Sequence, residues 1–255
     1  MSFGDHLDEL RRRLLVCFIV VVVLFLVSFG CLGRWLFWVM EYPLAQAARR
    51  VAPPVPLESL KQSISPMEPF MTSMKVAFVF AIFAGSPVLA YELWAFVRPA
   101  LRRREKRIVV PALFWGVGLF LAGASFAYFL VLPWSYVFLL TYAKSLGWTA
   151  SYTMKSFIDF ELAMLLAFGL VFELPLVLVV LATIGIVSPQ GLSAARPYAV
   201  VGMFVLAAVV TPTTDALTMI LLALPLCGLY EISVQVSKIF YHPRQAETEE
   251  PPKHT

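Results

Sequence analysis

The sequence predicts an all-α polytopic membrane protein with six transmembrane helices, the last two of them short. Hydrophobic residues make up 60% of the 255 residues and charged residues only 14%, against about 25% charged in an average soluble domain. Mean hydropathy is +0.81. The apolar residues also gather into runs bounded by charge, proline or tryptophan. Such a chain cannot cover itself with polar groups, so lipid is its expected solvent. The net charge of +4 is too small to point to nucleic acid.

The first run, 14–32, follows three consecutive arginines as the core of a signal peptide would. It exceeds the roughly 7 to 15 residues of a cleavable segment, so it reads as a retained first helix. Further helices are expected at 70–93, 108–132 and 157–187. The last two, 198–211 and 216–231, are short. At about 1.5 Å per residue the first of these reaches only about 21 Å, which fits a short crossing under a thinned bilayer or one arm of a re-entrant hairpin. Two short crossings are the favoured reading. Residues 1–241 then form one membrane domain (first helix at 14–33), and 242–255, rich in acids and proline, form a disordered cytoplasmic tail.

Six crossings gather 13 of the 20 basic residues on the side of the two termini, which the positive-inside rule makes cytoplasmic. Trp35, Trp38, Trp94, Trp134 and Trp148 fall at span ends, where an amphipathic ring prefers the interface. On the other side, the 37-residue loop 33–69 holds six prolines and is too long for a turn. Part of it should fold over the bundle, beginning with a short interfacial helix near residues 35–40. The second outside loop, 133–156, is expected to behave alike. Cys17, Cys31 and Cys227 share no CxxC spacing and read as small buried hydrophobes. His6, His242 and His254 share no metal-ligand spacing, so neither metal nor cofactor is expected.

Candidate functional residues are the polar groups retained at a cost. Glu173 lies near the middle of the fourth run, with Gly169 one turn earlier leaving room for a partner and Pro175 placed to kink the helix. An interhelical structural hydrogen bond is the plainer role. Leu7, Leu10 and Leu14 line one face of an amphipathic N-terminal helix, with Asp5 as its N-cap. In it Glu9 stands four residues before Arg13, so a plain intrahelical ion pair stays open. Glu105 is the lone acid of the basic loop 98–107, where neutralisation by its neighbours is the simplest account and where anionic lipid would be attracted. The chain has no GxxxxGK[ST], HExxH or GxSxG motif, so an enzyme is not expected. A small-solute carrier or channel and a receptor for a protein partner both remain open on these grounds.

Taken together, certain segments resemble the TatC family, the multispanning subunits of the twin-arginine protein translocase. They are His6-Leu7-Asp8-Glu9-Leu10-Arg11-Arg12-Arg13-Leu14, then Ser86-Pro87 running into Trp94-Ala95-Phe96 and Glu105-Lys106-Arg107, then Phe168-Gly169 to Phe172-Glu173-Leu174-Pro175, Arg196-Pro197-Tyr198, and Thr211-Pro212. The likeness extends over about 6–241. It implies a cup-shaped bundle in the bacterial inner membrane. It also implies binding of the paired-arginine signal peptides of folded substrates, small single-span partners of the TatA and TatB type, and export driven by the proton-motive force. A homo-oligomer within the complex stays open.

Carried over by position, the resemblance makes Glu105 and Glu9 the carboxylates that receive the signal arginines, with Phe96 and Arg11 beside them. Glu173 becomes the intramembrane polar site, and Thr211, Asp215 and Thr218 the contacts for a partner subunit. The chain departs from the family at Thr213-Thr214, where two prolines are common, and at Met219, where an amide is common. Truncation after residue 241 should leave the thermal unfolding temperature of the detergent-solubilised protein unchanged.

Overall fold

A computed structural model describes residues 3–97, 103–147, 153–183, 185–210 and 216–240. The tail 242–255 lies outside them. Among the described residues there are helices and no strand. Five helical stretches, Leu7–Cys31, Glu68–Phe96, Phe114–Ser145, Met154–Thr183 and Thr218–Ile239, are long and apolar enough to cross a bilayer, and a shorter apolar helix joins them at Arg196–Val209.

The chain starts with α1 (Phe3–Cys31), in which the amphipathic stretch and the first apolar run form one helix. Asp5, expected as an N-cap, lies inside it, in the first turn, where an acid still complements the helix dipole. Leu14, Leu15, Phe18, Ile19, Val23, Leu26 and Val27 along α1 are exposed, a face left for lipid. Its main packed seam is against α4 (Glu68–Val97). Phe25 meets Phe78 edge-on at 6.5 Å and Phe29 meets Phe70 at 5.9 Å, so the two helices run antiparallel. Exposure of apolar groups to lipid also corrects the reading of the cysteines: Cys31 is exposed, and Cys17 and Cys227 are half-buried. In lipid a small apolar side chain gains little by leaving the surface.

The segment after α1 is more ordered than the short interfacial helix expected. Helix α2 (Gly33–Arg50) has eighteen residues and buries Leu36, Met40, Leu44 and Ala47, a spacing of three and four that defines one helical face. That face packs on α6 (Leu132–Ser145). After the short α3 (Leu57–Leu60), the loop is fastened to the bundle by polar contacts. Lys61 pairs with Glu41 at 2.6 Å, Lys144 donates to the Pro53 carbonyl at 2.6 Å, and the Met154 N–H donates to the Gln62 carbonyl at 3.0 Å. The expected folding of this loop over the bundle is thus present.

The third run does not end at 132. Helix α5 (Arg103–Phe126) passes through a π-helical turn, Ala127–Val131, straight into α6. Pro133 has no N–H to give. The wide turn shifts the ladder just before it, with the Leu132 N–H reaching the Ala127 carbonyl, so the chain stays helical through the proline. The fourth run is broken as Pro175 suggested: α7 (Met154–Val171) ends, Phe172 and Glu173 form a turn, and α8 (Leu174–Thr183) resumes. A short α9 (Pro189–Ala194) leads to α10 (Arg196–Val210), which is short as expected. The last helix, α11 (Ala216–Phe240), is not short. Its expected terminator, Glu231, is held by Arg196 at 2.6 Å and Gln235 at 2.7 Å, so the charge is compensated without leaving the helix.

The core runs as one cluster from the α2–α6 seam, with Leu36, Leu44 and Tyr136, through Phe168 of α7 to Leu222 and Leu226 of α11. Helices α5 and α7 approach closely at two glycines. A Cβ on Gly123 would lie 2.5 Å from the Phe168 carbonyl oxygen, and one on Gly169 would lie 2.7 Å from the Phe120 ring. The room at Gly169 is therefore taken by Phe120, not by a polar partner of Glu173 as expected. Because the obstacle at Gly123 is backbone, it cannot rotate aside. Gly123→Ala should destabilise the bundle by about 1–3 kcal/mol, read as a lower unfolding temperature in detergent.

Candidate functional site

The side of the bundle that carries the start of α1 and the end of α4 holds a groove enclosing about 610 Å³, lined in part by Asp8, Glu9, Arg12, Arg13, Tyr91 and Glu92. Helix spacing puts Glu9 and Arg13 one turn apart on α1. The Arg13 Nε and Nη2 both donate to Glu9 Oε1, at 3.1 and 2.5 Å, which is the intrahelical pair the sequence left open. The same guanidinium reaches across to α4, where Nη1 donates to Glu92 Oε2 at 3.0 Å. Glu9 Oε2 is buried and has no hydrogen-bond partner among the described residues.

With Arg13 opposite Glu92 in an antiparallel pair, one turn back on α1 and one turn on along α4 bring Glu9 and Phe96 to a comparable level. Phe96 is half-buried and Arg11 is exposed. Glu105 lies in the first two turns of α5, with its side chain outside the described residues. Thr211 and Asp215 also lie outside them, while Thr218, in the first turn of α11, is fully buried.

Glu173 sits in the break between α7 and α8, half-buried. Its carboxylate faces Gly116 of α5: a Cβ there would lie 3.1 and 3.5 Å from its two oxygens and 2.9 Å from Leu176 Cδ2. The break is built locally, the Glu173 N–H turning to the Leu170 carbonyl at 3.1 Å while Pro175 offers no N–H to continue the ladder.

Besides Glu41 and Glu231, already described, further acids outside the expected set are engaged or enclosed. Glu92 binds Arg13 as described, and Asp159 bridges Lys75 of α4 and Lys155 of its own helix at 2.7 and 2.8 Å. Glu161 is 1% exposed, and its Oε1 has no partner among the described residues. Glu161 was within reach of the rule that singled out Glu173, since it lies in the same apolar run. Glu92 and Asp159 carried a weaker signal, acids near run ends whose partners are distant in sequence.

The family model of the Sec-independent protein translocase protein (TatC) matches residues 5–225. The TatC of Desulforapulum autotrophicum is 39% identical over 97% of this chain and 88% of its own length. That of Escherichia coli K12 is 37% identical over 92% and 87%. The chain belongs to the TatC family.

Solved structures agree. A crystal structure of the twin arginine translocase receptor TatC matches with a TM-score of 0.76 at 34% identity, covering 92% of this chain and 99% of that one. A second, in DDM, gives 0.77 at 35%, covering 91% and 99%. As a TatC the chain is a core subunit of the Tat translocase in a bacterial inner membrane, a transport component and not a catalytic enzyme. The carrier reading falls away with that membership.

The contact at Gly116 differs in kind from that at Gly123, because side-chain tips and not backbone stand in the way. Gly116→Ala should therefore lower the unfolding temperature less than Gly123→Ala does. Glu173→Gln should leave it unchanged, since no described residue donates a hydrogen bond to that carboxylate.

Proposed function

We propose that this TatC is the receptor for twin-arginine signal peptides, with Glu9 and Glu105 receiving the two guanidinium groups and Phe96 and Arg11 completing the surface. The observation that carries the reading is at Glu9. Its carboxylate already holds one guanidinium in the groove, and its second oxygen is a buried acceptor left without a donor among the described residues. An unsatisfied buried acceptor costs about 1–3 kcal/mol, so a further N–H donor there is gained at a premium. Arginine suits the site better than lysine, since its planar fork can meet a carboxylate through two parallel bonds.

The rest of the reading follows the family. Both termini face the cytoplasm, as the distribution of basic residues favours. Glu173, at the half-buried break in the fourth span, takes the intramembrane polar role, beside the apolar part of the signal or a partner helix. Thr211, Asp215 and Thr218 form the contact with small single-span subunits of the TatA and TatB type, and export draws on the proton-motive force.

The test is binding of a twin-arginine signal peptide to the purified full-length protein. Glu105→Ala and Glu9→Ala should each weaken binding by about tenfold or more and should erode discrimination against a twin-lysine peptide. Unchanged affinity and unchanged discrimination in both variants would remove the site assignment.

A further inference from the structure

We infer that Arg13 is an internal stand-in for a ligand guanidinium, held between Glu9 and Glu92, and that Glu92 is a further specificity residue which the ligand engages once Arg13 is displaced. The inference rests on the receptor reading above and names two residues which that reading does not use.

Glu9 and Arg13 would meet on any helix, because they are one turn apart, and such a pair contributes only a few tenths of a kcal/mol in isolation. The contact with Glu92 is different. It comes from another helix, 79 residues away in sequence, and turns a local pair into a carboxylate–guanidinium–carboxylate bridge. The bridge closes one wall of the groove in which the ligand is placed, and the groove carries three carboxylates, Asp8, Glu9 and Glu92, against two guanidiniums, Arg12 and Arg13.

The hold on Arg13 is also lopsided. Two of its donors crowd onto Glu9 Oε1, and Glu9 Oε2 receives none among the described residues. In this conformation Arg13 does not present its fork squarely to Glu9, since Nε and Nη2 share a single oxygen. A guanidinium arriving from outside can bond both oxygens in parallel, the stronger geometry. Tyr91, 67% exposed and lining the same groove, offers a ring face for it to lie against. Arg13 is mostly enclosed but not sealed from water, with 23% of its side chain accessible. Before binding, it keeps Glu9 and Glu92 from facing each other as uncompensated like charges. On binding it gives way.

The sign of the Arg13 effect separates this role from a structural tether. With the purified full-length protein and a twin-arginine signal peptide, Arg13→Gln should tighten binding several-fold by removing the internal competitor. Glu92→Gln should weaken binding several-fold and narrow the preference over a twin-lysine peptide. In the wild-type protein, hydrogen exchange at the Arg13 Nε–H, followed by NMR, should quicken when the peptide binds, a readout that needs no variant to fold. Weaker binding by Arg13→Gln, unchanged binding by Glu92→Gln, or slowed or unchanged Nε–H exchange on peptide addition would overturn the inference. If Glu105→Ala still abolishes binding in that case, the receptor reading stands without it. If variants at Glu9, Glu92 and Glu105 all bind normally, the receptor reading has failed as well.

Discussion

The constraint behind this structure is that lipid offers no hydrogen bonds. Every backbone N–H and carbonyl in a span must find its partner within the protein, and the helix does this locally. That is why even Pro133 and Pro175, which cannot donate, are absorbed by a π-helical turn and by a two-residue break between helices, with no loop opening at that depth. It is also why α1 can leave a whole apolar face, with Leu14, Phe18 and Leu26, outside the bundle and why charges meet opposite charges: Arg13 with Glu9 and Glu92, Arg196 with Glu231, Asp159 with two lysines.

The spans were legible because apolar length is a direct requirement of the solvent. Their ends were not, and each miss has a physical reason. Pro133 looked like a terminator because a proline removes a donor, but a π turn reorganises the ladder ahead of it. Glu231 looked like a boundary because a lone acid is costly in lipid, but Arg196, thirty-five residues earlier, compensates it. Helix α2 outruns the interfacial stretch marked by its first tryptophans because the residues that order it, Leu36 to Ala47, repeat along its whole length.

The site was legible where it follows a local motif and hidden where it depends on two helices meeting. Glu9 and its pairing with Arg13 can be read from a spacing of four. Glu92 cannot, because nothing in its own neighbourhood names a partner on α1. Gly169 shows the converse error: the space beside a small residue was visible in the sequence, but what fills it, the ring of Phe120, comes from another helix. Glu161, enclosed in the same run as Glu173, is legible by the same argument from an acid in an apolar span.

The strap across the far side of the bundle is tied by main-chain groups. The ammonium of Lys144 rests on the Pro53 carbonyl, the Gln62 carbonyl receives the Met154 amide, and Val55 bonds back to the Ala48 carbonyl at 3.1 Å. A peptide oxygen is present whatever side chain stands beside it. A side-chain substitution at Pro53 or Gln62 that keeps the backbone path therefore leaves the fastening oxygen in place, whereas one at Lys61 or Lys144 cuts a tie.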